Sequence, residues 1–202
     1  MKHLLFIIAL LLTQSVVHSQ LNDSMEMKPR AKAILLINEL KEGVLLVRLH
    51  TKSSGIEALK KKGQMEQAEK VRSYQEKENL EIMNAFRQFF TFCPVYFFFS
   101  DSSAALEREV PHHFFLDENL EMDPSIQFSE SFYLVAQKGD LRFKAEEGKA
   151  PANGLLKNVL VVLDASYIQL RDPFPHYAKG KHWAWRVRKL DTALFEFYEE
   201  AN

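Results

Sequence analysis

Apolar positions along the chain fall into runs whose spacing switches between a helical period and the alternating or continuous pattern of strands. Leu4 to Leu12 is an unbroken apolar run behind Lys2. From Pro29, the spacing of Ile34, Leu35 and Ile37 predicts a short helix that ends at Gly43, with a strand over Ala33 to Leu40 as the alternative. Val44 to Leu49 (VLLVRL) is almost continuously apolar, which predicts a strand buried on both faces. Ser53 to Phe92 reads as helix, with opposite charges four apart at Glu57/Lys61, Glu66/Lys70, Arg72/Glu76 and Lys77/Glu81. Ala68, Val71, Tyr74, Ile82, Phe86 and Phe89 trace one face of it, interrupted by Glu78, and Gly63 is the expected break. Val95 to Phe99 is the next strand, and Ser100-Asp101-Ser102 offers caps for a short helix through Glu109.

Strand, long helix, strand is the pattern of a parallel βαβ unit. Beyond Pro111 the pattern becomes that of hairpins. Phe132 to Ala136 and Leu141 to Ala145 flank Lys138-Gly139-Asp140, and Lys157 to Leu163 and Tyr167 to Arg171 flank Asp164-Ala165-Ser166. His182 to Arg188 alternates, with Trp183, Trp185 and Val187 on one side, and a last helix is expected from about Asp191. The expected fold is α/β or α+β. It is a single domain with a mixed sheet, an N-terminal βαβ unit with a long crossover helix, C-terminal antiparallel hairpins and a terminal helix.

The N-terminal run changes the picture from fold to address. Lys2, the apolar stretch and Val17-His18-Ser19 together match a secretory signal cleaved before Gln20. Nine apolar residues fall short of the ~20 that span a bilayer. Residues 1–19 are thus expected to be a signal peptide, 20–29 a flexible terminus and 30–202 the globular domain. The expected address is periplasmic or extracellular, with no transmembrane segment in the mature chain. Lys and Arg total 26 against 27 Asp and Glu, so no global electrostatic partner is implied, nucleic acid included. Sixteen Phe against seven Gly fit a packed core. A single cysteine rules out an internal disulfide.

That cysteine, Cys93 in FTFCP, is the first candidate for chemistry. A peroxiredoxin site would need threonine where Phe90 stands, and a thioredoxin site would need cysteine where Tyr96 stands. Both also place the thiol after a strand, whereas Cys93 follows a helix, so it reads as a buried structural residue. His50, His112, His113, His176 and His182 lack metal-ligand spacing, and no metal or cofactor is expected. The acidic run from Asp117 to Glu121 lacks the glycine (Met122 stands there) and the final acid (Phe128) of a calcium loop, and reads as a solvated turn. Phosphate-loop, dinucleotide and esterase signatures are absent from the sequence.

Two constellations remain. If strands 44–49 and 95–99 are parallel neighbours, their carboxyl ends bring His50, Thr51, Ser53 and Ser54 beside Ser100, Asp101 and Ser102. Open α/β sheets hold ligands at that edge, and a histidine beside an aspartate and serines could act as a general base. Helix capping by Ser53, Asp101 and Ser102 is the simpler alternative. The second constellation is a basic face of His176, Lys179, Lys181, His182, Arg186 and Arg188, interleaved with Tyr177, Trp183 and Trp185. Its alternative is a core strand with a solvated basic side. The sequence favours an exported, non-catalytic binding protein whose partner is an envelope protein or an anionic glycan or head group. A small hydrolase or transferase using the 50–54 and 100–102 loops is the second reading.

Overall fold

Val44–Leu49 forms β1, and every residue of it except Arg48 is buried. A strand so enclosed needs a hydrogen-bonding neighbour on each edge. It has two, both parallel: β2 (Val95–Phe99) pairs Leu45 with Val95 through Leu49 with Phe99, and β3 (Tyr133–Arg142) pairs Val44 with Tyr133 through Arg48 with Gln137. Antiparallel β4 (Leu155–Leu163) and the two-residue β5 (Tyr177–Ala178) complete a mixed sheet of order β2-β1-β3-β4-β5 in an α+β fold. The structure, a computed structural model, describes residues 27–106, 113–127, 129–142 and 155–202. The expected signal peptide, most of the expected flexible terminus, His112, Phe128, the last turn of the helix expected to reach Glu109, and Phe143 to Ala145 lie outside them.

α1 (Pro29–Glu42) ends at Gly43, where a Cβ would lie 2.5 Å from the Phe132 carbonyl oxygen. The chain leaves β1 through α2 (Ser53–Lys61), turns at Gly63 (φ +74°), and returns along α3 (Met65–Phe89) to β2. Glycine adopts that positive φ without steric cost, which is why the break falls there. A 3-10 turn (Ser100–Ser102) and the one-turn α4 (Ser103–Leu106) follow β2, and α5 (Trp183–Ala201) closes the chain.

The long helices α1, α3 and α5 pack on one face of the sheet. Ile37 and Leu40 of α1, Ile82, Met83 and Phe86 of α3, and Val187, Leu190 and Leu194 of α5 meet Leu45, Val47, Leu49, Phe97, Leu134 and Val162. Val44, Leu46, Phe98, Val135 and Val161 look the other way, onto Leu106, Phe114 and Phe115. The turn from α3 into β2 is fixed by Asp191 of α5. Its carboxylate accepts the amides of Thr91 (2.8 Å) and Phe92 (3.0 Å) and the Thr91 hydroxyl (3.2 Å). Lys41 of α1 donates to the Phe92 carbonyl at 2.8 Å and sits 4.8 Å from the Phe92 and Phe195 ring centroids, tying a third helix to the same corner.

Two sequence expectations are corrected. Lys138-Gly139-Asp140 is not a hairpin turn but the middle of β3, which continues past its last β1 partner as a ribbon with β4. Its turn-like residues serve a bulge. Lys157 and Asn158 stand opposite Asp140, whose carboxylate accepts the Asn158 amide at 3.0 Å, and Asn158 has φ +55°. Gly139 admits the close Val161 side chain, 2.9 Å from where a Cβ would be. His182 to Arg188 is not a strand either, since α5 begins at Trp183. Trp183 and Val187 satisfy an alternating and a helical period alike. Only the longer series of Trp183, Val187, Leu190, Leu194 and Phe197 selects the helix, which buries Trp183 and leaves Trp185 63% exposed. The second hairpin is partly realised. Asp164 accepts the Ser166 and Ile168 amides at 2.9 Å, but the returning run makes only an isolated bridge at Gln169 and no strand over Tyr167 to Arg171.

Asp191→Ala is expected to cost about 1–2 kcal/mol of unfolding free energy, because it leaves two amide donors at the α3–β2 turn without their charged acceptor. Urea unfolding should show a lower midpoint at unchanged slope, and an unchanged midpoint would deny the clamp its role.

Candidate functional site

In the sheet order β2-β1-β3-β4, the crossover from β1 leads to β2 on one side, while β3 pairs with β4 on the other. Diverging connections leave a crevice between parallel neighbours, the place where open sheets carry their ligands. A cleft of about 640 Å³ opens there. The cleft takes His50, Thr51, Lys52, Ser53, Ser54 and Gly55 from the exit of β1, and Ser100 and Asp101 from the exit of β2. The β3–β4 ribbon supplies Gln137, Lys138, Gly139, Asp140 and Asn158 as the far wall. Arg48 and Gln75 complete the lining.

The two hydroxyl-rich loops are stitched together. Thr51 Oγ1 donates to the Asp101 carboxylate at 2.7 Å, Ser100 Oγ donates to the same oxygen at 3.3 Å, and the Thr51 amide donates to Ser100 Oγ at 3.3 Å. Ser53 does not cap α2: the residue before that helix is Lys52, at φ +53°, and neither α2 nor the 3-10 turn carries a side-chain cap, although Thr51 Oγ1 accepts the Ser53 amide at 3.4 Å. Of the residues expected at this edge, Ser102 alone is absent from the lining. His50 faces β3 rather than a hydroxyl. Its Nε2 donates to the Lys138 carbonyl at 2.9 Å, and its own carbonyl accepts Asn79 Nδ2 at 2.9 Å. The serine–histidine–aspartate relay that a hydrolase would need is thus not formed, since Asp101 serves Thr51 and Ser100.

Arg48 is the residue that sequence reading passed over. Its Nε donates to Ser103 Oγ at 2.8 Å and its Nη1 to Gln137 Oε1 at 2.7 Å, and its guanidinium lies 5.2 Å from the Tyr167 ring centroid. All three partners are neutral. Among the described residues no carboxylate lies within ion-pair distance of it. Lys138, by contrast, is neutralised by Glu78 at 2.6 Å. The signal was present in the sequence, as the single charge inside VLLVRL.

The expected basic face is dispersed by the helical course of α5. His176 is buried, with Nδ1 2.8 Å from the Phe174 carbonyl. Arg186 donates to the Gly180 carbonyl at 2.8 Å and lies 4.3 Å from the Trp183 ring centroid, while Arg188 covers the Phe89 ring at 3.8 Å. Lys181, His182 and Arg186 line a second groove, between α3 and α5, that shares Lys138 and Asn158 with the cleft. Lys179 is exposed outside both.

The remaining candidates are accounted for by packing. Asp117 closes its own turn, accepting the Asn119 and Glu121 amides at 2.8 and 2.9 Å. No group of three metal-ligating side chains is assembled among the described residues, and no helix among them is long and apolar enough to cross a membrane. Cys93 is buried between the α3 terminus and β2, and burial pushes its thiol from the ordinary 9.0 up to about 12. Comparison with protein-family models, with curated proteins and with solved structures gives no significant match.

A thiol held neutral to about pH 12 is a poor nucleophile, because the thiolate is the reactive form. Native protein at pH 8 should therefore leave an aromatic disulfide reagent unreacted for hours and react fully once unfolded in urea. Stability should also fall as pH rises from about 9 toward 12, where the unfolded chain releases this proton and the folded one does not. Rapid labelling of the native protein would contradict the buried assignment.

Proposed function

We propose that this is an exported, non-catalytic binding protein that takes a small anionic ligand, a carboxylate or a phosphate group, in the cleft at the carboxyl ends of β1 and β2, walled by the β3–β4 ribbon. Arg48 carries the reading. A guanidinium that is half-buried loses hydration, and its desolvation is normally offset by a carboxylate. Here two of its donors are held by neutral groups and fixed in direction, and the remaining donors have no protein acceptor among the described residues. Such a fork is suited to an oxyanion, which it can engage bidentately. Lys52 and the hydroxyls of Ser53 and Ser54 add donors along the same cleft. The anionic glycan or head group expected from the sequence remains the partner class, now assigned to the sheet edge instead of the 176–188 segment.

Binding rather than catalysis is favoured because His50 and Asp101 are each engaged elsewhere. The test is thermal unfolding in inorganic phosphate and in acetate. Either or both should raise the Tm of the parent protein in a concentration-dependent way. Arg48→Met should abolish that rise and, without ligand, be at least as stable as the parent, since it removes an uncompensated charge. Equal anion-dependent stabilisation of parent and variant would sink the proposal.

A further inference from the structure

A second polar group at this cleft lacks a partner, and its identity is fixed by the bonds around it. The carbonyl of His50 can only accept, so Asn79 must present Nδ2 to it, at 2.9 Å. Asn79 Oδ1 then faces Gln75 and requires a donor, which orients Gln75 Nε2 toward it at 3.0 Å. Gln75 Nε2 also lies 3.5 Å from Glu78. Among the described residues its Oε1 is left buried with no hydrogen-bond partner, on a residue only 3% exposed that lines the cleft. Flipping the amide would place two donors or two acceptors face to face along this chain, so the orphan is an acceptor.

An acceptor held without a donor costs about 1–3 kcal/mol. Buried orphans of this kind are rare in native structures and call for an explanation. α3 could have avoided it with an apolar residue, because Gln75 and Asn79 occupy the same buried stripe as Ala68, Ile82 and Phe86.

We infer that Gln75 Oε1 receives a hydrogen bond from the ligand, and that the ligand is therefore a hydroxylated or amino-bearing anion rather than a bare one. This rests on the anion-binding reading above. The Asp101 and Asp140 carboxylates on the same cleft add acceptors suited to further hydroxyls, so the chemical class is a polyhydroxy acid or a sugar or polyol phosphate. Gln75 and the first turn of α2 line the same cleft. There Gly55 lines the cleft, and a Cβ on it would meet nothing within 4 Å.

Calorimetric titration with two matched pairs tests this: inorganic phosphate against glycerol 3-phosphate, and acetate against glycerate. In at least one pair the hydroxylated member should bind about tenfold more tightly, the worth of one well-made hydrogen bond. Gln75→Met should erase that preference. If the parent protein binds bare and hydroxylated anions equally, the role of Gln75 is refuted and the anion site stands. If the parent protein binds no anion of either pair, both readings fall. The comparison within the parent protein decides the matter even if Gln75→Met does not fold.

Discussion

A strand buried on both faces has no water for its amides and carbonyls, so the whole molecule depends on β1 having a partner along each edge. Parallel pairing satisfies this on both sides, with β2 and β3. Parallel pairing in turn demands a crossover, which α2 and α3 provide, and α3 covers one face of the sheet with α1 and α5. The helices are held to that sheet by apolar burial and by a polar corner where Asp191 and Lys41 meet the turn into β2. The cleft follows from the same requirement. The crossover from β1 leads to β2 on one side while β3 is paired with β4 on the other, and Arg48 and His50 emerge at the carboxyl end of β1 between them.

The polar character of that gap is unusual in what it leaves undone. Lys138 has Glu78, Asp101 has Thr51 and Ser100, and Asp140 has the Asn158 amide. Among the described residues Arg48 has no counter-charge and Gln75 Oε1 has no donor. Two of the non-glycine residues with positive φ, Lys52 and Asn158, also line the cleft, and a third, Tyr167, stacks on Arg48. Conformations of this kind are costly and concentrate where a site needs them. Groups that lower stability without serving the core are the expected trace of a ligand that completes them.

How much of this could be read from the chain depended on whether a local pattern had one meaning. VLLVRL and VYFFF admit little but buried strands, and Gly63 between charged helical segments admits little but a break. Their parallel pairing followed from the helices between them, and it brought the loops at His50–Ser54 and Ser100–Asp101 together as expected. Lys138-Gly139-Asp140 misled because a bulge and a turn call for the same residues, and the long-range β3–β4 register decides between them. Trp183, Trp185 and Val187 misled because so short a run cannot separate a period of two from one of 3.6. Gln75 and Asn79 went unnoticed for a different reason. An apolar pattern leads the α3 stripe through Tyr74 and Glu78, one position off the buried Gln75 and Asn79, because it admits no polar residue on a buried face; Tyr74 is 64% exposed.

The most direct measurement is a nitrogen–proton NMR titration with inorganic phosphate and with glycerol 3-phosphate, following the Arg48 side-chain Nε–H and the amides of Thr51 to Gly55. The anion-site account predicts saturable shifts confined to these resonances for at least one of the two anions. Shifts spread over exposed lysines, or none at Arg48 with either anion, would contradict it.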